Sequence, residues 1–445
     1  MKIKPPSPPH PRSSGSPMDG LTDSHLITVP TRKTNEEEDN SERVTNKSCL
    51  LFDISRIHVP KKRLKVNNGR SHPYYLSSCK RFESNINSLP VDIVFDILVQ
   101  LPAQDIYSAV RTVCRKWYQI IHTNKFVHTH FHHSTYGLLV QKRVSQSTQL
   151  AFMALSRQGQ IELTRLNYEP EHHILCSSCN GLILECERRN DNTLYISNPV
   201  TMQRFSLPPF AFPDPVMDLH YSALAYASLS MEYKVVRVYL NRENFQLGCI
   251  ILTVGVDESW RPVCTQHLSL RSKQNLVFRP LTTEGFVHWV NMSNYVLTLN
   301  VETEIITEHP FPSSGDGICF FPTAKYLSLL IANSCRSCSW DIWEMKPETG
   351  EWTQLPGIDL KDQMFEILGS SSEFDTIYKL SPAYIGSWLV PVGWLEYKEV
   401  FLYRVTNGIF AAWNIRLNKF EFIKLDSDLD GFFVHRNSLL WLDGC

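Results

Sequence analysis

Apolar residues follow two different periods along this chain, and the switch between them divides it. From residue 89 to 131 they recur at helical steps, whereas beyond Ser134 they alternate or run in short blocks between turn residues. In the first stretch Ile93, Val94, Ile97, Leu98 and Leu101 fall at steps of one and three, which places them on one predicted helical face. Pro90 suits the first turn of that helix, and Pro102 ends it and opens the next. From Asp105 to Ile121 the helical spacing returns with Ile106, Val110, Val113, Cys114, Trp117, Ile120 and Ile121. Three short helices are predicted within residues 85–133. So small a bundle leaves part of its apolar surface uncovered and therefore calls for a partner.

The second period predicts an all-β domain over residues 134–445. Its strands include Gly137–Gln141, Leu150–Leu155, Tyr233–Tyr239 and Cys249–Val254, and the Pro, Gly, Asn and Asp between them leave little room for crossover helices. The sheets should be antiparallel. A loose repeat leads from a strand through a polar turn into an aromatic or branched residue, at Asn198–Phe205, Asp257–Trp260, Val301–Ile305, Pro347–Trp352 and Leu417–Phe420. The spacing, mostly about 45 to 60 residues, fits the four-stranded blades of a β-propeller with about six blades, with a β-sandwich as the alternative. If the ring closes, the strand after Gly137 and the run Gly431–Leu442 share a blade.

Residues 1–84 have no sustained apolar period and are rich in Pro, Ser and charge, so a disordered arm is expected. It carries the basic cluster Lys61, Lys62, Arg63 and Lys65, a candidate nuclear signal with a solvated basic patch as the plain alternative. Over the whole chain 44 basic and 45 acidic side chains nearly cancel, so no net field draws it toward nucleic acid or a membrane surface. There is no apolar run of the roughly 20 residues a membrane helix needs. The expected location is the nucleus, the cytoplasm or both. Twelve cysteines spread thinly suggest reduced thiols.

Candidate chemistry is sparse. Cys176-x-x-Cys179 and Cys335-x-x-Cys338 could each supply two zinc ligands, but the pairs are too far apart in sequence for an ordinary zinc module. On a strand, His128, His130 and His132 would share one face beside His133, yet no carboxylate or cysteine nearby completes a site, and a linker surface is the preferred reading. No G-x-S-x-G, P-loop, H-E-x-x-H or dinucleotide fingerprint occurs. No metal, no cofactor and no catalytic residue are expected.

Leu89-Pro90, Ile93, Ile97-Leu98, Leu101-Pro102, Arg111, Val113-Cys114, Trp117, Ile120-Ile121 and Phe126 together resemble the F-box, with its L-P start, I-L-x-x-L-P middle and V-C-x-x-W close. Farther along, Ser178-Cys179-Asn180-Gly181-Leu182, Asn198-Pro199-Val200-Thr201, Leu207-Pro208, Ala223–Tyr226 and Tyr233–Val236 resemble the F-box-associated domains of plant F-box proteins; Ala225 replaces a more usual Gly and the Kelch double glycine is absent. The resemblance implies a substrate receptor of an SCF-type (Skp-cullin-F-box) ubiquitin ligase. In that role Leu89, Pro90, Ile93, Ile97, Leu98, Leu101, Pro102, Val113, Cys114 and Trp117 would bury against a Skp-type adaptor, and through it reach the cullin and RING subunits. The β domain would hold a protein target. A propeller-type binding scaffold uncoupled from any ligase is the alternative, and a propeller enzyme would need a polar pocket.

Overall fold

The computed structural model describes residues 89–440, apart from 145–146, 157, 169–172, 188–192, 211–215, 242–246, 291–294, 314–316, 334–338, 361–388, 407–408 and 426–428. The N-terminal arm with Lys61, Lys62, Arg63 and Lys65 lies outside the described residues, as do Cys335 and Cys338.

The helical module has four helices where three were expected: α1 (Val91–Val99), α2 (Ala103–Ser108), α3 (Arg115–Ile121) and α4 (Asn124–His133), with a 3-10 turn at Val110–Thr112. The predicted helix over 105–121 breaks in two because Cys114 is extended (φ −161°). Thr112 Oγ1 also donates back to the Ala109 carbonyl at 2.8 Å, a local bond that competes with a continuing helix. Helix α4 starts at Thr123, whose hydroxyl accepts the Phe126 amide at 3.2 Å.

Beyond the bundle stand six four-stranded antiparallel sheets, the blades of a β-propeller. Blade 2 runs from its inner to its outer edge through His173–Cys179, Leu182–Glu187, Leu194–Asn198 and Gln203–Ser206. Blade 3 comprises Val216–Ala227, Glu232–Asn241, Leu247–Thr253 and Arg261–Val263, and blade 4 comprises Leu281–Thr283, Phe286–Val290, Tyr295–Asn300 and Ile305–Pro310. Blade 5 takes Ile318–Pro322, Leu327–Ala332, Ser339–Met345 and Trp352–Asp359; blade 6 takes Val390–Glu396, Val400–Thr406, Ile409–Asn414 and Lys419–Lys424. The innermost strands of successive blades touch one another around the axis of the ring. Second strands are covered on both faces and read as apolar runs, as in Leu182–Leu184, while outer strands such as Gln203–Ser206 alternate between half-buried and exposed.

Blade 1 is assembled from both ends of the domain. Tyr136–Val144, Ser147–Leu155 and Ile161–Arg165 come first in sequence, and the inner strand is Leu429–Arg436, in antiparallel register from Tyr136↔Arg436 to Lys142↔Leu429. The predicted closure is therefore present, and it removes the two open edges an unclosed ring would leave.

The loose sequence repeat is the turn between the third and fourth strand of blades 2 to 6. In blades 2, 4 and 6 the third strand ends in Asn198, Asn300 or Asn414, whose Oδ1 accepts amides of the turn. Four residues later comes a positive-φ residue: Met202 (57°), Glu304 (58°) and Asn418 (49°). After two of the turns a Trp indole reaches the preceding blade: Trp260 Nε1 donates to the Pro208 carbonyl at 2.9 Å and Trp352 Nε1 to the Pro310 carbonyl at 2.7 Å. The aromatic position of the repeat thus ties neighbouring blades together. These turns, those between first and second strands, and the helical bundle share one face of the ring, here the bundle face; the connections between blades lie on the far face.

Candidate functional site

The bundle's own core is Val94, Leu98, Val99, Ala103, Ile106, Ile120, Ile121, Phe126 and Val127, with Phe95 edge-on to Phe126 at 5.2 Å. Helix α1 therefore divides its apolar surface. Val94 and Leu98 turn inward, and the adjacent i,i+4 pair Ile93 and Ile97 turns outward, each 46% exposed. This corrects the expectation of a single face. Leu98 is 0% exposed, so it supports the surface from beneath and offers no area to a partner.

Val113 is 53% exposed, and Val91 and Tyr118 are also open. Pro90 and Pro102 are exposed at the starts of α1 and α2, while Leu89, Leu101, Cys114 and Trp117 are half-buried. Leu89, Leu101 and Trp117 lean on the core. Lys116 Nζ donates to the Leu89 carbonyl at 3.0 Å, holding the first residues of the module against α3. The residues singled out in sequence thus form a support (Leu98, with Leu89, Leu101 and Trp117 partly inserted) and an outer apolar layer (Ile93, Ile97 and Val113). Val91 and Tyr118 are further exposed apolar side chains of the module and carried no signal that set them apart from ordinary helix residues.

The histidine run is helical, contrary to the alternating strand considered above, because Phe126, Val127 and His130 at steps of one and three pack α4 against α1. His130 is buried, with Nε2 hydrogen-bonded to the Leu101 carbonyl at 2.9 Å, and burial pulls its pKa below the usual range. It locks the α1–α2 junction and is not a linker surface. His128 and His132 remain exposed, with Nε2 atoms 3.3 Å apart. Among the described residues no group of three or more His, Cys, Asp or Glu could hold a metal ion. Cys176 and Cys179 are free thiols on the inner strand of blade 2. A hydrogen bond with Cys186 together with burial raises the Cys176 pKa well above the usual range, and burial pushes Cys179 up to about 12, so neither presents a thiolate.

The bundle is fixed to the ring by residues of the second sequence signature. Val200 of blade 2 and Leu439 of the C-terminal tail enter the bundle core. Asn198 Nδ2 donates to the carbonyls of Ser438 (3.1 Å) and Leu440 (2.8 Å) while its Oδ1 holds the turn. Gly181, at φ 83°, passes so close to the tail that a Cβ would meet the Ser438 side chain and lie 2.8 Å from the Arg436 carbonyl. Arg436 stacks on Tyr136 at 3.6 Å and donates to the Phe131 carbonyl of α4 at 3.0 Å. Asn198 and Gly181 were legible as motif residues; Arg436, Leu439 and Leu440 were not, since their role depends on ring closure.

The family model described as "F-box associated beta propeller domain" matches residues 133–358, and the model described as "F-box-like" matches residues 86–133. The first covers just over half of the chain, ending within blade 5. An F-box only protein of Arabidopsis thaliana is 24% identical over 210 residues, covering 46% of this chain and 53% of the relative. A second F-box protein of Arabidopsis thaliana is 28% identical over 117 residues, covering 25% of this chain and 30% of the relative. The chain thus spans about half of one curated relative and under a third of the other. Among solved structures, the Dos1 propeller aligns with a TM-score of 0.30 at 12% identity, covering 67% of this chain and 72% of that one, a likeness too loose to carry argument. With a helical module matching the F-box and six blades behind it, the chain belongs to the F-box-associated β-propeller family.

Proposed function

We propose that this protein is the substrate-recognition subunit of an SCF-type ubiquitin ligase, binding a Skp-type adaptor through its helical module and a target protein through its propeller. One observation carries the reading: a bundle whose core is already filled, by its own helices together with Val200 and Leu439, keeps Ile93, Ile97 and Val113 open to solvent. Exposed apolar side chains on so small a module favour a partner surface. Support also comes from the mount, because Asn198, Arg436 and Leu439 join bundle and ring through hydrogen bonds and packing. A firmly mounted receptor needs no covalent chemistry: it holds the target near the charged conjugating enzyme and raises the local concentration of its lysines. Targets would then be ubiquitinated and degraded.

The test is co-capture. Tagged wild-type chain should retain a purified Skp-type adaptor and, with it, cullin and RING subunits, while an Ile93→Asp/Ile97→Asp variant that still melts cooperatively should retain none. These positions are sounder choices than Leu89 or Trp117, whose side chains also pack on the core. A folded wild type that captures no adaptor would favour the uncoupled scaffold.

A further inference from the structure

We propose that the far face of blades 3 and 4 binds an acidic, extended segment of the captured protein, an inference that rests on the receptor reading and adds the chemistry of its target. The connection between these blades, residues 264–280, contains helix α5 (Leu270–Lys273) and a 3-10 turn at Gln274–Val277. Leu268 and Leu276 are buried in the core shared by the two blades and pin the connection down. Leu270 nevertheless points to solvent at 72% exposure and Phe278 at 38%.

The charge is one-sided. No Asp or Glu occurs from Ser259 to Thr283, while Arg271, Lys273 and Arg279 lie in the connection. Among the described residues, no carboxylate comes within 4.0 Å of these three cations. Several cations toward the bundle face, by contrast, are paired: Lys234 and Arg261 meet Glu304 at 2.9 and 2.7 Å, Lys398 meets Glu344 at 3.1 Å, and Arg416 pairs with Glu399 at 2.5 Å. Arg279 instead extends over the Phe433 ring of blade 1, 4.4 Å from its centroid, with only a 3.5 Å contact to the Cys176 carbonyl of blade 2. Its guanidinium keeps donors to spare. Cations without a carboxylate partner among the described residues, in the same connection as two exposed apolar side chains, complement a peptide that carries anions next to an apolar residue. A planar guanidinium accepts carboxylate and phosphate alike, so either anion satisfies the site.

The experiment is a cellulose array of randomised twelve-residue peptides, with serines both free and phosphorylated, probed with the full chain. Retained peptides should be enriched in Asp and Glu, or in phosphoserine, beside an apolar residue; which of the two dominates assigns carboxylate or phosphate as the anion. Arg271→Glu/Lys273→Glu lies on the surface and should leave the melting temperature unchanged while weakening these peptides about tenfold or more, the order expected when exposed charge pairs become repulsive. Arg279→Gln is the second variant and should weaken them without charge reversal. Enrichment of basic or uncharged peptides, no enrichment, or equal binding by the double variant would overturn the inference. Adaptor capture by the same preparation separates the outcomes: intact capture without acidic-peptide binding sinks this site alone, whereas lost capture sinks the receptor reading.

Discussion

Ile97 and Leu98 are neighbours in sequence with opposite duties, and they allow a direct comparison. Leu98→Ala should lower stability by about 3 kcal/mol, because it removes a fully buried side chain from a small core. Ile97→Asp, at a side chain half open to solvent, should cost only about 1 kcal/mol and act mainly on association; chemical denaturation of both variants checks the contrast. Glu185 gives the residue scale a pH signature. Its carboxyl sits under Tyr168 (2.8 Å) and Ser197 (3.0 Å) between blades 1 and 2, and burial pushes its pKa from the usual 4.5 up to about 7. A raised folded-state pKa means the contribution to stability is complete below about 4.5 and is lost as pH rises through about 7. Glu185→Gln should therefore gain melting temperature relative to wild type progressively across that window and hold a constant difference above it. A pH series of thermal melts in which the difference stays flat would contradict the assignment.

Among elements, the third-to-fourth-strand turns were visible in sequence because they combine Asn with a following bulky residue, and they recur at blade spacing. What could not be read was the backbone hand four residues after Asn198, Asn300 and Asn414, since Met202 and Glu304 are not residue types that announce positive φ. The structure predicts opposite outcomes at these two sites. Met202→Gly relieves the left-handed strain and should stabilise by up to about 1 kcal/mol. Glu304→Gly relieves the same strain but strands Lys234, nearly buried at 2.9 Å from the carboxylate, and breaks the Arg261 pair; a net loss of about 2 kcal/mol is expected. Equilibrium denaturation of the pair checks both signs. The division of α1 into an inner and an outer stripe was equally illegible. Ile93 with Ile97 and Val94 with Leu98 have the same chemistry and spacing, and only the packing of α3 and α4 decides which pair is covered.

For the molecule as a whole, the number of blades and the shared first blade followed from repeat spacing and the need to remove sheet edges, whereas the coupling of ring closure to the helical module did not. Leu429–Arg436 closes the ring and the next four residues hold the bundle through Asn198 and Leu439, so one segment serves two contacts distant in sequence. Removing residues 431–445 should therefore abolish the cooperative melt of the propeller and loosen the bundle with it. A truncated chain that melts like wild type would mean the ring does not depend on its closing strand. Asn198→Ala should be milder, preserving the ring while reducing protection of α4 amides in hydrogen exchange, because the tail loses two carbonyl anchors.

The central claim, that the uncovered stripe of α1 docks an adaptor while its buried stripe only supports it, is tested most directly by calorimetric titration of purified Skp-type adaptor into the full chain and into Ile93→Asp/Ile97→Asp. Saturable binding by wild type, lost in a variant that still melts cooperatively, is the result predicted. Equal binding by the two proteins, or none by a folded wild type, would contradict it.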